Sequence, residues 1–261
     1  MMTRILTVLL ILGTTLAFAS GTLERRTIYP FDPAHAPPPA GLTENRLATG
    51  DGETLVVWSA RPAPGRPVIL YFSGNAGNLS TRASRFAAFT RAGYGLVAAG
   101  YRGSSGSSGT PSEAALIADA EALAGAVPEL SGAPGPVIYY GESLGAAVAV
   151  ALAERHPPAA MVLESPFASI RRMSAAVYGT SLFAGLARSK WPSEARIVSF
   201  DAPLLIVHGA LDSFVPPDQG RALFEAAASA DKHFELVEGA GHVDVWQPSA
   251  QERLSAFLAR F

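Results

Sequence analysis

Residues Val137–Glu154 read VIYY, GESLG, AAVAVALAE. Val137–Tyr140 is a short, continuous apolar run, as expected for a strand covered on both faces. Ala146–Glu154 is a run of strong helix formers. Between them, Gly141-Glu142-Ser143-Leu144-Gly145 matches G-x-S-x-G, with Ser143 at its centre. A strand that turns straight into a helix through this pentapeptide holds the serine hydroxyl at the carboxyl edge of the sheet. The turn is so tight that side chains two positions either side of the serine would collide, which accounts for both glycines. The helix N-terminus beneath supplies backbone N–H groups and the positive end of a dipole.

Working outward, similar runs recur at Val68–Phe72, Gly95–Ala99, Met161–Glu164, Leu204–His208 and Phe234–Val237. Longer helix-like segments separate them: Leu79–Arg91, Ser112–Ala126, Asp218–Ala228 and Pro248–Arg260. Strands alternating with helices predict right-handed βαβ units. The fold class is therefore α/β, with a mostly parallel central sheet flanked by helices. Glu44–Ala48 and Thr54–Ser59 flank the turn TGDG and add an antiparallel hairpin at the edge. Phe167–Phe200 breaks the alternation with helix-like pieces at Ile170–Tyr178 and Leu182–Ala187. An insertion of this length forms either a short helical lid or additional core helices. Gly100–Glu113 is Gly/Ser-rich but lacks the GK[ST] ending of a phosphate loop.

The composition excludes several classes. With 49% hydrophobic and 16% charged residues, the chain has enough apolar material for a large core, which excludes disorder. A formal charge of −2 argues against a nucleic-acid partner. The chain has no cysteine, so disulfides, thiolate metal sites and a cysteine nucleophile are excluded.

The N-terminus reads as a targeting or anchoring segment, residues 1–19. After Arg4, Ile5–Ala19 carries no charge, and Ala17-Phe18-Ala19 has the small-x-small form of a signal-peptidase site. A cleaved secretory signal and a retained membrane anchor both fit, so the chain is expected to be exported or membrane-anchored. Residues 20–41, with Pro30, Pro33 and Pro37–Pro39, read as an extended spacer rather than a folded element. Residues 42–261 are then the folded domain.

A serine hydroxyl needs a base to become a nucleophile. Of the five histidines, His35 lies in the spacer and His156 ends a helix before two prolines. His208 closes an apolar strand, where it would support a loop, and His233 opens one. His242, in EGAGHVDVW, is presented by a Gly-rich loop after a strand, the placement a general base requires. An acid must fix the imidazole tautomer and stabilise its charged form. Asp212 stands on the loop after Leu204–His208, while Asp218 reads as a helix cap and Asp244 as an assistant to His242. The order Ser143, Asp212, His242 is the Ser…Asp/Glu…His order of α/β-hydrolases. Two N–H groups would form the oxyanion hole: Leu144, after the serine, and Asn75, in the loop Ser73–Asn78 that follows Val68–Phe72.

The motifs YFSGNAGN, GYRGSSGSSGTPSE, GESLG, ESPF, HGALDSFVP and GHVDVWQ, taken in order, resemble those of small α/β-hydrolases of the serine-aminopeptidase-like branch, from Tyr29 to Phe261. The resemblance implies the α/β-hydrolase fold, a serine hydrolase activity and the triad Ser143, Asp212 and His242. It does not fix a substrate: the branch includes esterases, lipases and thioesterases. Ser73 stands where the family usually has a histidine that braces the oxyanion loop, and Gly100 where an acidic residue is common.

The expectation is a serine hydrolase of carboxylic esters or thioesters, acting on a small-molecule acyl substrate through an acyl-enzyme, with no metal or organic cofactor. The N-terminal segment would bring it to a membrane. An amidase or exopeptidase is the alternative within enzymes, with Glu142 or Glu164 as the acid that would select a free amino group. A catalytically silent hydrolase fold acting as a binding protein is the alternative outside them, motivated by Ser73.

Overall fold

A computed structural model of the chain describes residues 21–181, 184–185 and 187–261. The targeting segment expected at residues 1–19 and half of the helical piece expected at Leu182–Ala187 lie outside these residues. Among the described residues no helix is long and apolar enough to cross a membrane.

Eight strands form one sheet: β1 (Thr43–Ala48), β2 (Thr54–Ala60), β3 (Val68–Phe72), β4 (Gly95–Ala99), β5 (Val137–Glu142), β6 (Ala160–Glu164), β7 (Leu204–Gly209) and β8 (Lys232–Val237). Their order is β1-β2-β4-β3-β5-β6-β7-β8. Strand β2 pairs antiparallel with both β1 and β4, and every other pairing is parallel. The expected hairpin and parallel runs are thus present, most of them extended by a residue or two.

Side chains alternate across the sheet into two cores. Leu70, Phe72, Tyr139, Leu163 and Ile206 join one core, whereas Ile69, Tyr71, Tyr140, Val162 and Val207 join the other. Residues 21–28 are helical and are labelled α1. Helices α3 (Glu113–Ser131), α4 (Leu144–Ala153) and α7 (Pro217–Ala226) cover the first face. Helices α2 (Ala83–Arg91) and α8 (Pro248–Leu258) cover the second. Residues Leu144–Leu152 of α4 are all buried, which is why that helix carries small and apolar residues on every side. The insertion between β6 and β7 contributes α5 (Ile170–Tyr178) and the short α6 (Ser193–Arg196).

The segment expected as a free spacer is instead docked on the domain. Residues 21–28 are helical, and Tyr29 is buried in the first core. Phe31 stacks on Tyr101 with ring centroids 5.1 Å apart. No helix or strand forms from Tyr29 to Pro39, but the two aromatics among the prolines give the segment apolar surface to bury. Asp218 is also not a capping side chain: Pro216 occupies the N-cap of α7, leaving Asp218 in the first turn, where its charge complements the helix dipole.

Candidate active site

The elbow has the geometry its glycines require. Ser143 adopts φ +52°, in the left-handed region, between the end of β5 and the start of α4. A Cβ on Gly145 would stand 2.0 Å from the Phe72 carbonyl oxygen, and one on Gly141 would stand 2.5 Å from the Ala146 Cα. Neither position tolerates a side chain. Ser143 N–H donates to Glu164 O at 2.8 Å, tying the elbow to β6.

Three chain segments meet at this edge. Ser143 Oγ–H donates to His242 Nε2 at 3.0 Å, and His242 Nδ1–H donates to Asp212 Oδ2 at 2.7 Å. The sequence-selected serine, histidine and aspartate are therefore joined in one relay. Asp212 is 3% exposed, whereas the His242 side chain is 18% exposed. The acid is sealed and the imidazole faces the opening. The second oxygen, Asp212 Oδ1, accepts from Phe214 N–H at 3.0 Å and Val215 N–H at 2.8 Å. Burial alone would raise the Asp212 carboxyl, but hydrogen bonds from His208, His242 and Val215, with the charge of His242, hold it well below the usual carboxylate range. Asp244 Oδ1 accepts from Gly241 N–H at 2.6 Å, so it shapes the loop carrying His242 and makes no contact with the ring.

His208 supports the loop, as expected from its position, and also touches the relay. Its Nε2–H donates to Val215 O at 2.8 Å and lies 3.3 Å from Asp212 Oδ2. Its Nδ1 is buried without a partner, which assigns the ring proton to Nε2.

The loop Ser73–Asn78 lies against the elbow: Gly145 sits on Phe72 and Ser73, and a Cβ on Gly74 would meet Glu142 Oε1 at 3.1 Å. Other residues brace the loop that carries Ser73 in place of histidine. Tyr101 O–H donates to Ser73 O at 2.8 Å, Asn75 Nδ2 donates to Ile28 O at 3.0 Å, and Arg82 donates to Ala76 O. Burial holds the Tyr101 hydroxyl well above its ordinary range, so it remains a proton donor. Leu144 opens α4, and its N–H is one of the helix-start donors without an intrahelical acceptor.

Sequence reasoning missed the ionic network under the elbow. Arg85 pairs with Glu164 through two bonds, at 2.8 and 3.0 Å. Arg82 pairs with Glu142 at 2.5 and 3.1 Å. Tyr71 O–H donates to Glu142 at 2.7 Å, and Tyr140 O–H donates to Glu164. The ion-paired partners are 60 and 79 residues apart, so no local pattern announces them. Among the described residues no group of three or more His, Asp or Glu side chains is placed to hold a metal ion.

The family model described as "Serine aminopeptidase, S33" matches residues 63–197 and 193–244. The chain belongs to this α/β-hydrolase family. It is 40% identical over 232 residues to an uncharacterized protein of Mycobacterium tuberculosis, covering 85% of this chain and 81% of that one. It is 34% identical over 220 residues to α/β-hydrolase domain-containing protein 17C of Xenopus tropicalis, covering 82% of this chain and 69% of that one. The fold is similar to that of the Pyrococcus furiosus esterase Pf2001, with a TM-score of 0.72, 18% identity and coverage of 88% and 97% of the two chains. As an α/β-hydrolase, the chain carries its serine, aspartate and histidine on the loops leaving β5, β7 and β8.

Proposed function

We propose that this hydrolase cleaves carboxylic esters or thioesters through an acyl-enzyme on Ser143. The observation that carries the reading is the continuous Ser143–His242–Asp212 hydrogen-bond chain at the mouth of a strained elbow. Ser143 Oγ attacks the acyl carbonyl carbon while its proton passes to His242 Nε2. The carbonyl oxygen becomes an oxyanion, met by the N–H groups of Leu144 and Asn75. As the tetrahedral intermediate collapses, the bond to the leaving oxygen or sulfur breaks, and His242 returns the proton to that atom. Water, deprotonated by His242, then attacks the acyl-enzyme. Its collapse frees the acid and re-forms the Ser143 hydroxyl. Asp212 stays ionised throughout and stabilises the imidazolium.

The ionic network favours acyl over aminoacyl substrates. Selecting a free amino group would need a carboxylate open to the site, and both candidates, Glu142 and Glu164, are already paired with Arg82 and Arg85. The braced oxyanion loop favours a working hydrolase over a silent one, because Tyr101, Asn75 and Arg82 hold that loop from three sides. The test compares steady-state hydrolysis of short- and long-chain acyl esters, acyl thioesters and aminoacyl anilides. Turnover of esters or thioesters supports the proposal. Exclusive turnover of aminoacyl anilides would replace it with the exopeptidase reading.

A further inference from the structure

We infer that the face formed by α1 and the insertion docks on an anionic lipid surface. The end of α1 touches the loop Ser73–Asn78, where Asn75 Nδ2 donates to Ile28 O at 3.0 Å. The claim that docking delivers acyl substrate rests on the proposed hydrolase function; the docking itself does not.

Among the described residues seven large apolar side chains are exposed. Three of them, Leu23, Val177 and Tyr178, lie on α1 and α5, and Leu211, Phe214 and Val243 lie on the loops that carry Asp212 and His242. The seventh, Val198, precedes β7. Val243 and Leu211 are 88% and 68% exposed, next to His242 and Asp212 in sequence, and Phe214 packs edge-on against the His242 ring at 5.1 Å. Scattered exposed apolar residues need no explanation, but their collection around one site does.

Charge separates a lipid surface from an apolar protein partner. Residues 21–28 and the insertion 167–200 hold seven cations, Arg25, Arg26, Arg171, Arg172, Arg188, Lys190 and Arg196, against two acids, Glu24 and Glu194, a net of +5 in a chain of net −2; Arg172 pairs with Glu194 at 3.2 Å and Arg196 with Glu113 at 3.1 Å. Glu24 is spent within the fold: it accepts from Arg188 N–H at 2.7 Å and Ser189 N–H at 2.9 Å. Those same bonds join α1 to the insertion, and Lys190 O accepts from Ile170 N–H at 3.0 Å, so the two segments form one surface. The rim near His242 carries the acids Glu238 and Asp244 instead, which leaves the positive charge on the α1 side. The uncharged run Ile5–Ala19 ends two residues before Gly21, the first described residue of α1, whose Leu23 is 60% exposed. Cations interleaved with exposed apolar residues, continuous in sequence with an apolar segment, match an interfacial contact with anionic lipid.

The experiment measures partitioning of the full chain, wild type and Ser143→Ala, onto vesicles of phosphatidylglycerol with phosphatidylcholine and of phosphatidylcholine alone. The variants are Arg25→Glu/Arg26→Glu/Arg171→Glu, for the charges, and Leu23→Ser/Val177→Ser, for the apolar contribution. The proposal predicts stronger binding to anionic vesicles, weakened by high salt. It predicts a loss of about tenfold or more with the charge variant and a smaller loss with the apolar pair. Equal partitioning on both lipids would overturn it, because association would then come from Ile5–Ala19 alone. So would undiminished binding of the charge variant, or binding to neither vesicle. Docking by Ser143→Ala alongside a wild type that hydrolyses no acyl ester would leave this proposal standing and remove the hydrolase reading.

Discussion

His208 Nε2 lies 3.3 Å from Asp212 Oδ2, the same oxygen that holds His242 Nδ1 at 2.7 Å. The acid of the relay is therefore set by two imidazoles and two backbone N–H groups, and only one of those imidazoles reaches Ser143. A Cβ on Gly220 would meet His208 Nδ1 at 2.5 Å, so the ring has no room to turn away. Replacing His208 by Gln retains a donor towards Val215 O and Asp212, whereas Phe removes it. His208→Phe should lower kcat by about tenfold, the loss of one hydrogen bond to a charged group, with KM little changed. His208→Gln should recover part of that loss. Equal kcat in both variants and wild type would show that the contact is passive.

The depressed Asp212 carboxyl fixes the sign of one pH effect. A folded-state pKa below the unfolded one contributes stability above the unfolded carboxylate range near pH 4, and that contribution fades as pH falls through the folded value. Asp212 is therefore held as the carboxylate well below the usual carboxylate range. Asp212→Asn should leave the fold intact yet lower kcat by about 10⁴, since the asparagine cannot hold the imidazole in the required tautomer. Rate–pH profiles of wild type and variant, with melting curves, check both parts.

Gly145→Ala should damage the fold and not just the activity. Its Cβ would enter the Phe72 carbonyl, and backbone on both sides leaves nowhere to relax. We expect a loss of about 3 kcal/mol or more, a fall in Tm of about 6–12 °C, read by calorimetry.

Breaking the buried network on one side should also be costly. Glu164→Gln removes the two-bond carboxylate partner from Arg85, which is 9% exposed, and leaves the guanidinium only Glu142, 3.6 Å away and already paired with Arg82. The expected destabilisation is about 3–5 kcal/mol. Denaturant unfolding of Glu164→Gln and Arg85→Met together separates the pair's net contribution from the cost of orphaning one partner.

Tyr101→Phe tests the oxyanion loop. It removes one bond, to Ser73 O, and no apolar contact with Phe31. We expect kcat to fall up to about tenfold with KM preserved, because in the proposed mechanism the loop donates to the oxyanion.

These residues mark where sequence reading succeeds and where it stops. The β-strands were legible because full burial on both faces leaves continuous apolar runs such as Leu204–His208. Ser143, Asp212 and His242 were legible because each stands just after such a run. Tyr101 was visible only as part of a Gly/Ser-rich loop, since its partner, Ser73 O, is a backbone atom 28 residues away. The proline-rich segment misled because proline content reports backbone stiffness but not contact. Its aromatic residues, Tyr29 and Phe31, were the available signal, and Tyr29 bonds Ser189 across 160 residues.

The most direct test of the central claim is labelling of the full chain with a fluorophosphonate, followed by mass spectrometry of the modified peptide. The account predicts one adduct, on Ser143, that is lost in His242→Ala while the protein remains folded. A folded wild type that takes no label at Ser143, or a His242→Ala protein labelled as fast as wild type, would contradict it.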